Sequence, residues 1–361
     1  MWKLIYLYTF SFSLLLALIL TPVMRWFSRH LKIFDHPGAR KIHEEKMPIL
    51  GGVAMYLAFI LTIGVNIILL LILSRVARLS YLFTPLAGRL SITGLRLAAI
   101  TGGSALMMAI GLVDDYRPLQ ARVKFFCQIM VALIIALSGI RISLFIYNDF
   151  ISILVTVFWI TAITNAFNLL DNMDGLSAGV ALIASAIFFL ITYTQGQVLV
   201  SVMLSLFAGS LLGFLVYNFY PATIFMGDSG SMFIGYILSI LTIMSTYYTS
   251  GSPTLMPVFM PLLILSVPIF DTLSVIYIRL RSGKSIFCGD ENHFSHRLVR
   301  MGMSRRGAVC LIYLLTFCLG SGALLLRSLN IKGALVIILQ ALSVLTIMLI
   351  LEQASVKNNR E

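Results

Sequence analysis

The sequence predicts an all-α polytopic integral membrane protein with about eleven transmembrane helices in a single domain over residues 1–361. Three observations carry that reading. The chain is 59% hydrophobic and only 11% charged, with a mean hydropathy of +0.98, far from the charge content of ordinary soluble domains. Apolar runs of about 17 to 25 residues, enough to cross a hydrocarbon core, recur from end to end. The runs are continuous and show no period-two alternation. Since lipid tolerates only helices or closed barrels, they select helices.

The segments fall at 4–24, 49–73, 92–113, 123–140, 150–166, 175–194, 197–217, 231–249, 254–278, 307–326 and 331–351. The first is longer than the apolar part of a signal peptide, about 7 to 15 residues, and no small-residue cleavage site follows it; it is expected to remain as a span. With the N-terminus outside and the C-terminus cytoplasmic, 18 of the 26 basic residues face the cytoplasm, as the positive-inside rule asks. Cys127, Cys288, Cys310 and Cys318 show no CxxC pairing, so neither a disulfide nor a zinc site is expected. The net charge of +12 suits basic loops against anionic lipid heads, or a phosphate-rich substrate. Nucleic acid is not expected, because no soluble module is left to present a basic groove.

In this topology all five histidines and thirteen of the fourteen acids lie at the inner face, Asp149 being the exception. Charges near a bilayer centre cost about 2.5 to 3.5 kcal/mol even on the lenient insertion scale, so acids gathered on one face mark a site. The expected loops lie near 27–48, 114–122, 167–175, 218–230 and 279–306.

Each loop carries a motif. In TNAFNLLDNMDGLSAG (164–179), Asn165, Asn168, Asp171 and Asp174 recur every three residues and would form one polar stripe on a helical end. Capping needs one such residue, not four. In GLVDDYRPLQARVKFFCQ (111–128), Asp114 and Asp115 would repel unless a cation or a basic residue is close, and Arg117, Arg122 and Lys124 follow. A solvated turn is the plainer account. In FMGDSGSMFIG (225–235), Asp228 between Gly227 and Gly230 opens a span whose N-terminus favours phosphate, and a lone carboxylate beside phosphates is a usual Mg²⁺ ligand; an ordinary N-cap is the alternative. Phe225 is either core or a platform for a flat base. The stretch 279–308 presents His293 and His296 with Arg297, suited to a pyrophosphate or a metal; zinc lacks further ligands at short spacing. The loop DHPGARKIHEEKMPILGG (35–52) offers Arg40, Lys41, His43 and Lys46 before Pro48 and Gly51-Gly52.

Taken in order, these five motifs resemble those of the polyprenyl-phosphate N-acetylhexosamine-1-phosphate transferases, and are closer to the GlcNAc-1-phosphate branch. The likeness covers about residues 35–306. It implies a Mg²⁺-dependent enzyme (Mn²⁺ as a substitute) of the bacterial cytoplasmic membrane that joins a sugar 1-phosphate from a UDP-N-acetyl sugar to undecaprenyl phosphate and releases UMP. It further implies membrane lipids as surroundings and a homodimer. By position, Asp114 and Asp115 match the acidic pair near the lipid phosphate, and Asp228 the Mg²⁺ ligand, with Asp174 beside it. Asn168, Asp171 and Asp174 match the nucleotide and metal pocket, and Phe225 the surface for uracil. His293, His296 and Arg297 would face pyrophosphate and sugar, with Lys46, Arg122 and Lys124 as further substrate contacts. The resemblance makes Asp114, Asp115, Asp174 and His293 the catalytic candidates.

Two positions depart from the pattern. Asn172 stands for the first Gly of DGxDGL, and His293-Phe294-Ser295-His296 lacks the central histidine of His-x-His-His. The donor therefore stays open between GlcNAc, phospho-MurNAc-pentapeptide and other UDP-N-acetyl sugars. Asp114 could act as a base, position the lipid phosphate, bind metal or form an aspartyl-phosphate; an alkyl phosphate loses its second proton near pH 6 and an ordinary Asp near about 3.9, which weakens the first role. An ion-coupled transporter would place acids near the midplane and show inverted repeats, and neither is seen here.

Overall fold

A computed structural model describes residues 2–35, 46–76, 80–143, 146, 148–248, 253–286 and 293–357, without the side chains of 80–92 and 353–357. Arg40, Lys41, His43 and Cys288 lie outside the described residues. The described chain is almost wholly helical: α1 (Trp2–His30), α2 (Gly51–Arg75), α3 (Ser80–Tyr116), α4 (Ala121–Leu137), α5 (Asp149–Leu170), α6 (Leu176–Thr194), α7 (Val198–Asn218), α8 (Gly227–Met244), α9 (Met260–Ile264), α10 (Ser266–Arg281), α11 (Phe294–Arg300), α12 (Arg305–Leu325) and α13 (Ile331–Lys357). One short antiparallel pair, β1 (Phe34–Asp35) with β2 (Met47–Pro48), closes the loop after α1.

Among the described residues nine helices are long and apolar enough to cross a membrane, ten if α9 and α10 with the turn before them form one span. The expected segment 254–278 is not straight: the chain bends by 67° between Met256–Ile264 and Ser266–Arg281. Pro257, Pro261 and Pro268 explain the break, since each removes a helical N–H donor and crowds the preceding turn. The expected segment 123–140 is α4, whose 17 residues leave it shorter than any of those nine.

Helix ends follow local chemistry. Arg117 precedes Pro118, which disfavours helical geometry, so α3 runs through Asp114 and Asp115 and stops at Tyr116. Asn148 caps α5 by accepting from the N–H groups of Phe150 and Ile151, and Ser304 caps α12 by accepting from Gly307.

α8 is the most buried of the spans and α13 the least. α8 packs against α2, α3, α5, α6 and α7, with Phe59, Phe207 and Phe233 meeting edge to face at centroid distances of 5.4–6.0 Å. Glycine lets its first turn come close to its neighbours. A Cβ on Gly52 of α2 would strike the Gly230 backbone, and one on Gly111 of α3 would strike the Asp228 backbone. The central helix thus delivers Asp228 to one end of the bundle at backbone contact with two others.

Candidate active site

The residues expected on loops sit mainly on helix ends, and direct bonds join them. Asp115, in the last turn of α3, accepts from the N–H of Asp228 at 2.7 Å and of Ser229 at 3.1 Å. It thereby caps α8 from another helix, placing a carboxylate on the positive end of that helix. Gly227, at φ +69°, turns the chain into α8, and a Cβ there would press on the Asp115 carboxylate.

Lys124, from the first turn of α4, gathers three partners. Its Nζ lies 2.5 Å from Asp228 Oδ2, 2.9 Å from Asp114 Oδ2 and 3.2 Å from Asn168 Oδ1. Asn168 Nδ2 donates to Asp228 Oδ1 at 2.7 Å and to Ser231 Oγ at 2.9 Å. The other Asp114 oxygen accepts from the Leu119 N–H at 2.6 Å, so the turn reading and the site reading of this residue both hold. Of the basic residues that follow the acidic pair, Lys124 is the one that joins the carboxylates. Arg122 is exposed and outside the cluster, as is Lys46.

The polar stripe expected from the three-residue spacing does not form. α5 ends at Leu170, and the chain turns before Asp171. Asn165 bonds Gln128 instead, and Asp174 accepts from the Ala222 N–H at 3.0 Å, clamping the loop before α8. Asp171 stays with the cluster. Burial first, then the carboxylates of Asp228, Asp115, Asp174 and Asp35, push its carboxyl well above the usual range. The loop is fixed further by Gly175, at φ +76°, whose N–H donates to Asn218 Oδ1 and whose carbonyl accepts from Tyr313.

A second group is built around α11. Asp271 is 2% exposed inside α10; its Oδ2 lies 2.8 Å from His293 Nδ1, and its Oδ1 accepts from the Phe294 N–H at 2.8 Å. One carboxylate therefore caps α11 and fixes the His293 ring. The His296 ring lies 6.1 Å from that of His293. Arg297, expected to face the pyrophosphate, is buried with Nη1 3.5 Å from Glu352 Oε1, an oxygen that also accepts from Ser274. Ser295 donates to Asn172, tying α11 to the Asp171 loop. Phe225 is half-buried, and its N–H and carbonyl pin the loop before α8 to Pro48 and Gly51.

Sequence reasoning gave no role to Asp271, Glu352 or the Asn172–Ser295 contact. For the two acids a signal existed: Asp271 falls inside the apolar run 254–278 and Glu352 directly follows the run 331–351, and a carboxylate there needs a partner.

The donor atoms of the cluster are carboxylate and amide oxygens, the hard kind, and among the described residues no group of three His, Cys, Asp or Glu side chains comes together as a metal site. Mg²⁺ is ordinarily held by one or two carboxylates with waters and substrate phosphates. Two carboxylates on a single ammonium, with the Asp171 carboxyl close enough to feel the charges of Asp228 and Asp115, make a place where a further cation is favoured.

Residues 97–246 match the family described as glycosyl transferase family 4. The chain is 35% identical, over 91% of its length and 87% of the relative's, to a probable undecaprenyl-phosphate N-acetylglucosaminyl 1-phosphate transferase of Bacillus subtilis. It is 35% identical to a decaprenyl-phosphate N-acetylglucosaminephosphotransferase of Mycolicibacterium smegmatis, over 80% of this chain and 74% of that one. An undecaprenyl-phosphate alpha-N-acetylglucosaminyl 1-phosphate transferase of Escherichia coli is 25% identical over 87% and 83%.

Proposed function

Because this chain belongs to the polyprenyl-phosphate N-acetylglucosaminyl 1-phosphate transferases, we propose that it moves GlcNAc 1-phosphate from UDP-GlcNAc to undecaprenyl phosphate, releases UMP and so begins a lipid-linked cell-envelope polysaccharide. It is a multi-pass membrane glycosyl-1-phosphate transferase. The observation that carries the reading is the bonded cluster of Asp114, Lys124, Asn168 and Asp228, capped by Asp115 at one end of the bundle. The site opens on the cytoplasmic face of the bacterial cytoplasmic membrane, with the N-terminus outside, because most basic residues lie at that end. A homodimer is part of the proposal on the family resemblance alone.

Transfer between two anionic partners is chiefly a matter of positioning and charge neutralisation. Asp228 would hold Mg²⁺ together with waters and the donor phosphates, with Asp171, whose carboxyl feels the charge of Asp228, beside it. When bound, the ion supplies Lewis acidity toward the donor phosphates. Lys124 keeps Asp114 and Asp228 together and adds a positive charge beside the reacting phosphates. Asp114 is already committed to Lys124 and the Leu119 N–H, which favours a positioning role over that of nucleophile or base. Asp271 takes His293 Nδ1 and leaves Nε2 to face the substrate.

The test is UMP release by purified protein given undecaprenyl phosphate, Mg²⁺ and a panel of UDP-sugars, UDP-MurNAc-pentapeptide and UDP-GalNAc among them. UDP-GlcNAc is expected to give the highest turnover, and Asp228→Asn and Asp114→Asn to lower it by about a hundredfold or more with expression retained. No UMP from any donor would reject the proposal. Near-wild-type turnover in either variant would remove that residue from the site.

A further inference from the structure

A side-chain to side-chain bond joins the loop of the acidic cluster to the histidine helix. Ser295 Oγ in α11 donates to Asn172 Oδ1 at 2.5 Å, across 123 residues of sequence. Ser295 is 1% exposed, so water does not readily replace a lost partner. Asn172 is itself held at both its side chain and its main chain. Its Nδ2 donates to the Leu169 carbonyl at 2.9 Å and its backbone N–H to that of Leu170 at 2.9 Å, which aims Oδ1 away from α5. The chain neighbours of the two partners are Asp171, which belongs to the carboxylate cluster, and His296, which belongs to the histidine group.

We infer that Asn172 and Ser295 form a latch that sets the separation between the carboxylate cluster and α11, and through it the fit of the donor's sugar phosphate. They are positioning residues, and the inference rests on the transferase reading above. The same two positions are those at which the chain departs from the motifs it resembles, with Asn for Gly at 172 and Ser for His at 295. A larger side chain on the loop thus meets a smaller one on the helix. The two departures meet in this one contact.

The test compares full-length Asn172→Ala, Ser295→Ala and the double variant, each with undecaprenyl phosphate, Mg²⁺ and either UDP-GlcNAc or UDP-GalNAc. The readout is kcat together with the ratio of kcat/KM for the two donors, which a change in active fraction cannot move. Misplacement by about an ångström costs up to roughly a hundredfold in rate. Each single variant is expected to lose about tenfold in kcat and to shift the donor ratio by about threefold or more, and the double to match the worse single, since one bond is lost only once. Ser295→Cys, of similar size but a weak donor, should behave like Ser295→Ala without opening a cavity. Asn172→Gly combined with Ser295→His should recover activity that each loses alone. An unmoved donor ratio, single effects that multiply in the double, or wild-type kcat in Ser295→Cys would overturn the latch. A wild-type protein that releases no UMP from any donor would instead defeat the transferase reading, and the latch with it.

Discussion

Lys124 is the cation that touches both Asp114 and Asp228, and its ammonium also reaches the Asn168 amide oxygen. Removing one partner of a part-buried charge group leaves the others uncompensated, which costs more than the group was worth. Lys124→Met keeps the length of the stem and deletes the charge. Turnover is expected to fall about a hundredfold, by analogy with loss of one electrostatic donor in other sites, and the melting temperature to drop as well. UMP release at the wild-type rate would show that the ammonium serves only the resting cluster. Arg122, two residues earlier and exposed, is the internal comparison, and Arg122→Met should change turnover far less. The sequence could name both residues but not choose between them. Spacing places Arg122 and Lys124 in the same helical turn, while the direction each side chain takes depends on which neighbouring helix it meets.

At the scale of the element, the site is as precise as the placement of α8. Its first turn is held by Asp115 in trans and approached by α2 and α3 through glycines. Two glycines of α3 should therefore respond in opposite ways. Gly111→Ala drives a Cβ into the Asp228 backbone, whereas Gly102→Ala meets nothing within 4 Å. Overpacking of this kind costs about 1–3 kcal/mol, so Gly111→Ala should lower the melting temperature and abolish most activity while Gly102→Ala leaves both unchanged. Equal behaviour of the two would contradict the close packing of α3 on α8. Apolar runs made the helices readable, whereas the ends at Tyr116, before Pro118, and at the Asn148 cap emerged only with the structure. The break in 254–278 was written in Pro257, Pro261 and Pro268, but proline is tolerated in membrane helices often enough that a hydrophobic run alone reads as one span. The stripe expected from Asn165 to Asp174 failed for a different reason: a spacing of three aligns side chains only while the helix lasts, and α5 ends at Leu170.

At the scale of the whole molecule, the motifs converge only if the number of membrane crossings between them is right, and α4 is the element that decides it. Its 17 residues span about 26 Å as a helix, a little less than the hydrocarbon core of about 30 Å. Lys124 at the start of α4 lies 3.2 Å from Asn168 in the last turn of α5. The two helices therefore run antiparallel, and the connection carrying Arg141 and Asp149, paired at 2.9 Å, belongs at the far end of the bundle. Since α5 is long enough to cross, α4 must cross too. Otherwise Asp171 and Asp115 would end on opposite leaflets. In a variant lacking the four native cysteines, a cysteine at position 122 should react with an impermeant thiol reagent only after the cytoplasmic side is opened, and one at position 149 should react from outside in intact cells. Labelling of both from one side would break the α4–α5 hairpin and separate Asp171 from Asp115. Labelling on opposite sides but in the reverse sense would keep the site and invert the protein, placing the nucleotide donor on the wrong face of the membrane.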